Sequence, residues 1–508
     1  MVRRAIITGL GLAYLWSSES SAQSGWSYVF EPDSTTFLFD VRELSADKLI
    51  AVGVNWIPGQ EPGPSQVYLF ENGALVGGNN VVITGGRAYL NTILPKDDNS
   101  VQMFGAWRSD EPLVASLPFR AGIFQIGADL DLEGYTTMGP DAAYNATIAG
   151  CRAVDGSYSG IGVNYLSGSS TLSFHPYRFS TALDSLSSCQ VYAGIGPFMA
   201  HTIHPWTHGG FLCASYSIWT NDPTAGTITI LEEDLCTVRS NFSPPPSAPS
   251  NLPFSALSAI QQFPNALPLG ASHIIACGEA FDVTAIGYTQ RCAIQVLDTV
   301  GTIIRERRFH SDRFADSPAI CNSIDTTVGH QFYYAQMEGR DPANEVLSMP
   351  CDIRIILLDS LLQPLGSYTI DGYADSALYE LRRVRSAIDG SVYVLGRVKY
   401  LNTPAPRWQG WIAKVGREEF ATGVQEQERT SMNIAPNPGR EAFTLLLDQP
   451  LQNAQLTVAD GLGRIVHTGS ISGTNITIAT ASLAPGLYIV QIVEATGTMR
   501  RTARWVKE

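Results

Sequence analysis

The sequence has few charged residues, and fewer of them are basic than acidic. Charged residues make up 16% of the 508-residue chain, against about 25% in a typical globular domain. Lysine and arginine number 33 and aspartate and glutamate 47, which gives a net charge of −14. A protein that binds a phosphate backbone needs a basic surface, and the sequence contains no cluster of lysine and arginine. The composition therefore argues against a nucleic-acid partner, and it also excludes a coiled coil.

Long apolar runs and the common catalytic motifs are also missing. After the N-terminal segment no stretch reaches the ~18 apolar residues that a membrane-spanning helix needs, so we expect no membrane span. The sequence has no GxSxG elbow, no P-loop and no dinucleotide fingerprint. Ser45–Lys48 fits S-x-x-K but lies in a predicted turn without the accompanying motifs. The absence of these catalytic motifs favours a function other than catalysis but leaves open whether the protein is an enzyme.

The N-terminus has the pattern of a secretory signal peptide. Arg3 and Arg4 precede a short apolar stretch, and Ser20 and Ala22 form a small-x-small cleavage site. We therefore expect residues 1–22 to be a signal peptide. In an exported protein, an even number of cysteines favours disulfides over thiol chemistry, and the chain has eight.

One hairpin recurs seven times between residues 23 and 420. In each copy an apolar strand follows a polar turn and ends in a small residue. These residues are spaced 52 to 63 positions apart and are Gly53, Gly105, Gly162, Ser215, Gly278, Ala335 and Gly396. Four antiparallel strands every ~50–60 residues, without helical periodicity, are typical of a propeller blade. The fold class is therefore all-β, a β-propeller of about seven four-stranded blades over residues 23–420, with a tandem of β-sandwiches as the alternative. This region resembles bacterial repeat propellers in layout only.

The C-terminal region carries several short motifs. Alternating apolar residues separated by Asp-Gly and Pro-Gly turns predict a small β-sandwich. The motif residues are Asn437, Pro438, Asp460, Gly463, Arg464, Gly486, Tyr488 and Lys507.

In the same order, these motifs resemble the type A C-terminal sorting domain of the type IX secretion system. The resemblance covers residues 433–508 and implies an immunoglobulin-like sandwich that is recognised by the type IX machinery. It also implies export across the outer membrane, removal of the domain, and release or attachment at the cell surface. Residues 421–432 are polar and unpatterned, which predicts a linker before this domain.

The cysteines fall two to a copy in copies three to six, and eight cysteines allow 105 pairings. Neighbouring antiparallel strands favour Cys277–Cys292 as the first candidate. The weaker candidates are Cys213–Cys236, Cys321–Cys351 and Cys151–Cys189.

Aromatic residues follow the small residue closely in six copies. They are Trp56, Trp107, Tyr165, Trp219, Phe281 and Tyr400. Long connections between the second and third strands would lie on one face of a propeller, where binding residues commonly sit. One hypothesis is that the aromatic residues form a ring there and stack on a ligand such as a sugar. The alternative is that they pack between blades.

Three segments contain potential metal ligands, but we predict no metal and no cofactor. His201–His208 holds three histidines, which could bind zinc, yet it falls across a strand and a turn. Asp129–Glu133 and Glu232–Asp234 are rich in carboxylates. Ca²⁺ is an open alternative there, although a solvated turn explains the same residues.

The sequence therefore predicts a secreted or cell-surface propeller, expected to be monomeric, that binds or adheres to a glycan or protein. The alternative is an extracellular carbohydrate-active enzyme, a hydrolase or lyase, on the same scaffold. A fold alone cannot decide between them. Convergence of Asp, Glu, Arg or His from several blades would indicate where the working site lies.

Overall fold

The chain divides into two compact units, with the boundary between positions 422 and 423. The computed structural model describes residues 25–31, 36–45, 48–55, 63–96, 100–109, 120–138, 143–166, 172–189, 198–206, 209–217, 226–242, 265–284, 287–309, 320–326, 331–338, 350–403, 407–420, 432–460, 464–493 and 500–508. Within these residues, no helix is long and apolar enough to cross a membrane.

The first unit is a seven-bladed β-propeller, as the repeat predicted. It begins with β1 (Trp26–Val29). Blade 1 contains β2 (Thr36–Ser45), β3 (Lys48–Asn55), β4 (Ser65–Glu71) and β5 (Ala74–Asn80). Blade 2 contains β6 (Val82–Ile83), β7 (Gly86–Pro95), β8 (Val101–Ser109), β9 (Arg120–Ile126) and β10 (Leu132–Met138). Blade 3 contains β11 (Ala143–Arg152), β12 (Tyr158–Leu166), β13 (Leu172–Phe179) and β14 (Ser185–Ser188).

The remaining blades repeat this meander. Blade 4 contains β15 (Phe198–Pro205), β16 (Phe211–Ser217), β17 (Gly226–Leu231) and β18 (Val238–Phe242). Blade 5 contains β19 (Asn265–Leu269), β20 (His273–Thr284), β21 (Gly287–Asp298) and β22 (Ile303–Phe309). Blade 6 contains β23 (Ile320–Thr326), β24 (Phe332–Glu338), β25 (Asp352–Leu358) and β26 (Pro364–Ile370). A short helix, α1 (Gly372–Asp375), leads into blade 7, and a 3₁₀ helix (Arg417–Phe420) follows it.

Blade 7 is completed by the beginning of the chain. Its strands β27 (Ala377–Ser386), β28 (Val392–Tyr400) and β29 (Gln409–Val415) are sequential, and β1 adds as the fourth strand by pairing with β29. Trp26 of β1 stacks on Phe70 of blade 1, with ring centroids 6.0 Å apart. The N-terminal strand therefore closes the ring, which the repeat pattern did not predict.

One strand of each blade lies innermost, and we call these the first strands. They are β2, β7, β11, β15, β19, β23 and β27, and they contact one another in a closed ring around the central channel. In six blades the pairing of first and second strands shifts at a β-bulge. The bulge explains the recurring small residue in several copies. A Cβ atom on Gly105 would lie 2.1 Å from the carbonyl oxygen of Tyr89, and one on Gly396 would lie 1.9 Å from that of Glu380. The second strand accepts only a residue without a side chain at these positions.

Apolar clusters fill the spaces between neighbouring blades. One cluster joins blades 1 and 2 and includes Ile50, Val67 and Phe124. Another joins blades 6 and 7 around Tyr379 and Trp411. Because each radial sheet is buried on both faces, its central strands are apolar at successive positions.

The second unit is a small all-β domain. Its strands are β30 (Met432–Ala435), β31 (Ala442–Asp460), β32 (Ile465–Ala479), β33 (Gly486–Val493) and β34 (Arg500–Lys507). The hydrogen-bonded order is β30-β31-β33-β34, with β32 also paired to the long strand β31. Fully buried Phe443, Leu456 and Trp505 lie in its core.

Candidate functional site

Charged and imidazole side chains from four blades meet around the central channel. We call these residues the channel cluster. Its members are Asp40 and Arg42 on β2, His204 on β15, Asp325 on β23, and Arg383 and Arg385 on β27.

Asp40 is the most constrained member of the channel cluster. Its side chain is fully buried, and one carboxylate oxygen accepts a hydrogen bond from Arg385 Nε at 2.8 Å. The other oxygen accepts from the backbone N–H of Ile93 at 3.0 Å and lies 3.4 Å from a terminal nitrogen of Arg383. Asp40 therefore ties blade 1 to blade 2 on one side and to blade 7 on the other.

The other contacts of the cluster also join neighbouring blades. Arg42 Nε donates to the carbonyl oxygen of Ile93 in blade 2 at 3.3 Å. Asp325 of blade 6 accepts from the backbone N–H of Ser386 in blade 7 at 3.0 Å. These bonds of the channel cluster therefore join blades 6, 7, 1 and 2, which follow one another around the ring.

Electrostatics keep Asp40 ionised. Burial alone would raise the pKa of its carboxyl, but the nearby guanidinium groups of Arg385, Arg383 and Arg42 hold that pKa well below its usual range. Burial lowers the pKa of Arg383 to about 10 despite the attraction of Asp40. At neutral pH both side chains are charged, so Asp40 is an acceptor and cannot serve as a proton donor.

His204 responds to the same positive charges from another part of the ring. Its pKa is lowered to about 3, first by burial and then by Arg385, Arg42 and Arg383. The arginines belong to blades 7 and 1, and His204 belongs to blade 4, so their field extends across the channel. His204 is therefore neutral at physiological pH and offers one ring N–H and one ring acceptor.

The aromatic residues predicted to form a ring are only partly covered by the structure. Trp107 of β8 packs against the cluster between blades 1 and 2, and the Arg120 guanidinium lies 5.6 Å from its ring centroid. Tyr400 packs against the cluster between blades 6 and 7. These two positions agree with packing between blades. Those that lie outside the described side chains are Trp56, Tyr165, Trp219 and Phe281, so the aromatic ring stays a prediction.

The two acidic segments have structural roles where they are described. Asp131 accepts from the Asn79 side-chain amide at 2.6 Å, and Asp129 accepts from the backbone N–H of Asp131 at 3.1 Å. Glu232 forms an ion pair with Arg239. Among the described residues, no group of three His, Cys, Asp or Glu side chains is arranged to hold a metal ion. The side chains of the other two predicted histidines, at positions 201 and 208, lie outside the described part.

Among the described residues, the structure forms a disulfide that differs from the predicted pairs. Cys189, which follows blade 3's outer strand, is bonded to Cys236 in a turn of blade 4, with Cα atoms 5.8 Å apart. The pairings of Cys151 with Cys189 and of Cys213 with Cys236 were therefore wrong. They assumed that bridges stay within one blade, whereas the observed one links two. Cys151 and Cys213 are buried thiols in the apolar cluster between the same blades.

The other two predicted pairs stay predictions. Cys292 lies opposite Glu279 and Cys277 opposite Ile294 in the β20–β21 ladder, two positions apart. The side chains of Cys292 and Cys321 are outside the described part of the chain. The partner of Cys351 is therefore not assigned.

Polar motif residues of the C-terminal unit make hydrogen bonds within it, while Gly463 lies outside the described residues. Asn437 accepts from the backbone N–H of Val506 at 2.9 Å. Asp460 accepts from the backbone N–H of Arg464 at 3.0 Å and from its Nε at 2.8 Å, which closes the turn between β31 and β32. The hydroxyl of Tyr488 donates to a backbone carbonyl at 2.6 Å.

Lys507 is the most buried of these charged groups, with 8% of its surface exposed. Its ammonium donates to the carbonyl oxygens of Thr480, Ala481 and Leu483 at 2.5, 3.1 and 2.6 Å. Three acceptors match the three N–H donors of an ammonium group. The C-terminal lysine of the motif thus fastens the last strand to the β32–β33 connection.

The C-terminal unit matches a known family. A family model described as a secretion system C-terminal sorting domain matches residues 433–507. No curated protein matches the chain.

Similarity to solved structures is weak. Prolyl oligopeptidase B from Galerina marginata is 11% identical with a TM-score of 0.38, over 74% of this chain and 49% of that chain. The chain thus spans about half the length of that protein. An α-L-arabinanase from Penicillium chrysogenum, complexed with arabinobiose, is 10% identical with a TM-score of 0.34, over 65% and 92%. PorZ from Porphyromonas gingivalis is 9% identical with a TM-score of 0.19, over 95% and 100%.

Scores at this level carry no inference about the propeller's activity. The C-terminal unit does support an inference about export, because its motifs, its fold and the family match agree over the same residues. Residues 433–507 therefore belong to the type IX secretion C-terminal sorting domains, and the chain is exported across the outer membrane to the cell surface or the extracellular space.

Proposed function

We propose that the propeller is a binding or adhesion module that takes a glycan or protein ligand outside the cell. The observation that carries this proposal is the channel cluster, where side chains from blades 1, 4, 6 and 7 converge. Convergence of polar groups from several repeats around one axis is typical of a ligand site on a rigid scaffold.

The chemistry of the cluster favours binding over hydrolysis. Glycoside hydrolysis needs a carboxyl group that can donate a proton, which requires a raised pKa. Asp40 has the opposite property, because arginines hold its pKa well below the usual range. Its two oxygens are also occupied by hydrogen bonds and ion pairs.

The enzymatic alternative has one carboxyl in its favour, that of Glu43 on β2. Burial raises the pKa of this group, and the nearby Asp389 carboxylate raises it further. However, its oxygens accept from the backbone N–H of Ile388 and from the hydroxyl of Tyr393 at 3.1 Å. These bonds tie blade 1 to blade 7, which gives Glu43 a structural role. Glu43 is the residue to replace if hydrolysis is observed.

A single assay separates the two candidate functions. The full-length exported protein is incubated with a panel of polysaccharides and glycans, and bound protein and new reducing ends are measured in the same wells. The proposal predicts binding without release of reducing ends. Release that Glu43→Gln abolishes would refute it and support the hydrolase. If no glycan binds, a second panel of surface proteins tests the protein-ligand form of the proposal.

A further inference from the structure

The channel cluster carries more positive than negative charge. Its three arginines contribute +3 and its two aspartates −2, so the sum is +1, and His204 is neutral because its pKa is lowered to about 3. The side chains of Arg383 and Arg385 are only 14% and 11% exposed. A net charge at such a depth is costly unless an ion of opposite sign balances it.

The excess charge is associated with Arg42. Arg383 and Arg385 are both paired with Asp40. Arg42 instead directs its Nε to the neutral carbonyl oxygen of Ile93. Both oxygens of Asp40 already have partners, and Asp40 and Asp325 both favour the charged form of Arg42, so two aspartates balance three arginines only in part.

We infer that the central channel contains a binding site for one carboxylate group, held mainly by Arg42 with Arg383 and Arg385 beside it. This inference rests on the proposed binding function and names the chemical class of its ligand. A guanidinium group pairs with the two oxygens of a planar carboxylate through parallel N–H bonds. The neutral ring of His204 can donate one further hydrogen bond without adding charge.

A carboxylate fits the site better than phosphate. It is a monoanion at neutral pH and brings the sum of charges to zero, whereas phosphate is then partly a dianion, which would leave −1 in a buried position. A neutral sugar would leave the +1 uncompensated. A carboxylated sugar therefore matches both the proposed class of ligand and the charge of the channel cluster.

Isothermal titration of the full-length protein tests this inference. The probes are glucuronate, glucose, inorganic phosphate and chloride, each titrated into the wild type. The site predicts saturable binding of glucuronate, with glucose and phosphate at least tenfold weaker. Equal binding of glucose, or tighter binding of phosphate, would overturn the inference. Chloride that binds while glucuronate does not would show an adventitious ion only and would also overturn it.

Variants connect the binding to the channel. Arg42→Gln should weaken glucuronate binding tenfold or more, because a charge-assisted hydrogen bond contributes about 1.5–3 kcal/mol. Arg42→Lys keeps the charge and should retain part of the affinity. The matched control is Arg239→Gln on β18, which removes the same charge from the ion pair of Arg239 with Glu232. Equal effects of the Arg42 and Arg239 changes in folded protein would contradict the inference, and thermal unfolding confirms that each variant is folded.

The outcomes also separate this inference from the proposed function. Binding of neutral glycans that does not depend on Arg42 would refute the carboxylate site and leave the binding function intact. Binding of glucuronate monomer without binding of any glycan or protein would support the site and refute the proposed function.

Discussion

The close approach of the bulged first strand to Gly105 gives a quantitative prediction. A Cβ at this position would lie 2.1 Å from the Tyr89 carbonyl oxygen and 2.8 Å from the Leu90 Cα. Both are backbone atoms, so rotation of a side chain cannot relieve the clash. Overpacking of this kind costs about 1–3 kcal/mol, and the entropy that alanine removes from the unfolded chain offsets about 0.4–1 kcal/mol. We expect Gly105→Ala to destabilise the propeller by about 1–2 kcal/mol.

Thermal unfolding of the full-length protein measures this effect. With about 2.1 cal/mol/K of unfolding entropy per residue, a cooperative unit of roughly 400 residues would lose about 1–2 °C in Tm. The control is Gly77→Ala on β5, where the nearest atoms are Leu130 Cδ1 at 3.5 Å and Leu69 Cβ at 3.9 Å. That change should leave Tm unchanged or raise it slightly. A Gly105→Ala variant as stable as Gly77→Ala would refute the bulge explanation of the repeat.

Three further predictions concern bonds that join separate parts of the chain. Cys236→Ser should lower stability by up to about 4 kcal/mol, because its disulfide to Cys189 closes a loop of sequence separation 47; non-reducing peptide mapping that finds another partner for Cys189 would contradict the assignment. Asp40→Asn should cost about 3–5 kcal/mol at neutral pH, because it leaves buried arginines unpaired. The pKa of Asp40 is depressed in the folded protein, so its carboxylate stabilises the fold above the unfolded pKa of about 4, and this stabilisation is lost as pH falls from there towards the folded pKa. The Tm measured from pH 7 down to 3 should therefore fall more steeply for the wild type than for the variant, and parallel curves would refute the direction of the pKa shift. Lys507→Met should destabilise the sorting domain by about 1–3 kcal/mol, because it leaves buried carbonyls without donors; limited proteolysis of the full chain should show faster cleavage within residues 432–508, and unchanged cleavage would argue against this role.

The architecture was predictable from the sequence because its signals are local. The strand–turn–strand unit and its small terminal residue recur within each 50–60-residue copy, so spacing alone predicted the blades. In the sorting domain, the hydrogen bonds of Asp460 with Arg464 and of Tyr488 with Ala484 also join residues four positions apart. Each of these features is specified by sequence that is close in the chain.

The closure and the candidate site were not predictable, because they depend on distant residues. The four-residue strand β1 has no repeat partner in sequence and pairs with β29 at the opposite end of the propeller. Asp40 meets an arginine 345 positions away. The sequence does show charged residues at alternate positions of two first strands, Asp40 with Arg42 and Arg383 with Arg385. That pattern in strands expected to be buried was the available signal.

The most direct test of the account is binding of the full-length exported protein to two polysaccharides with matched backbones, one carrying uronic acids and one neutral, with reducing ends measured in the same wells. The account predicts that the protein binds the acidic polymer, that Arg42→Gln weakens this binding while Arg239→Gln does not, and that no new reducing ends appear. Cleavage of either polymer would contradict the account. Equal binding of the two polymers that Arg42→Gln does not weaken would also contradict it.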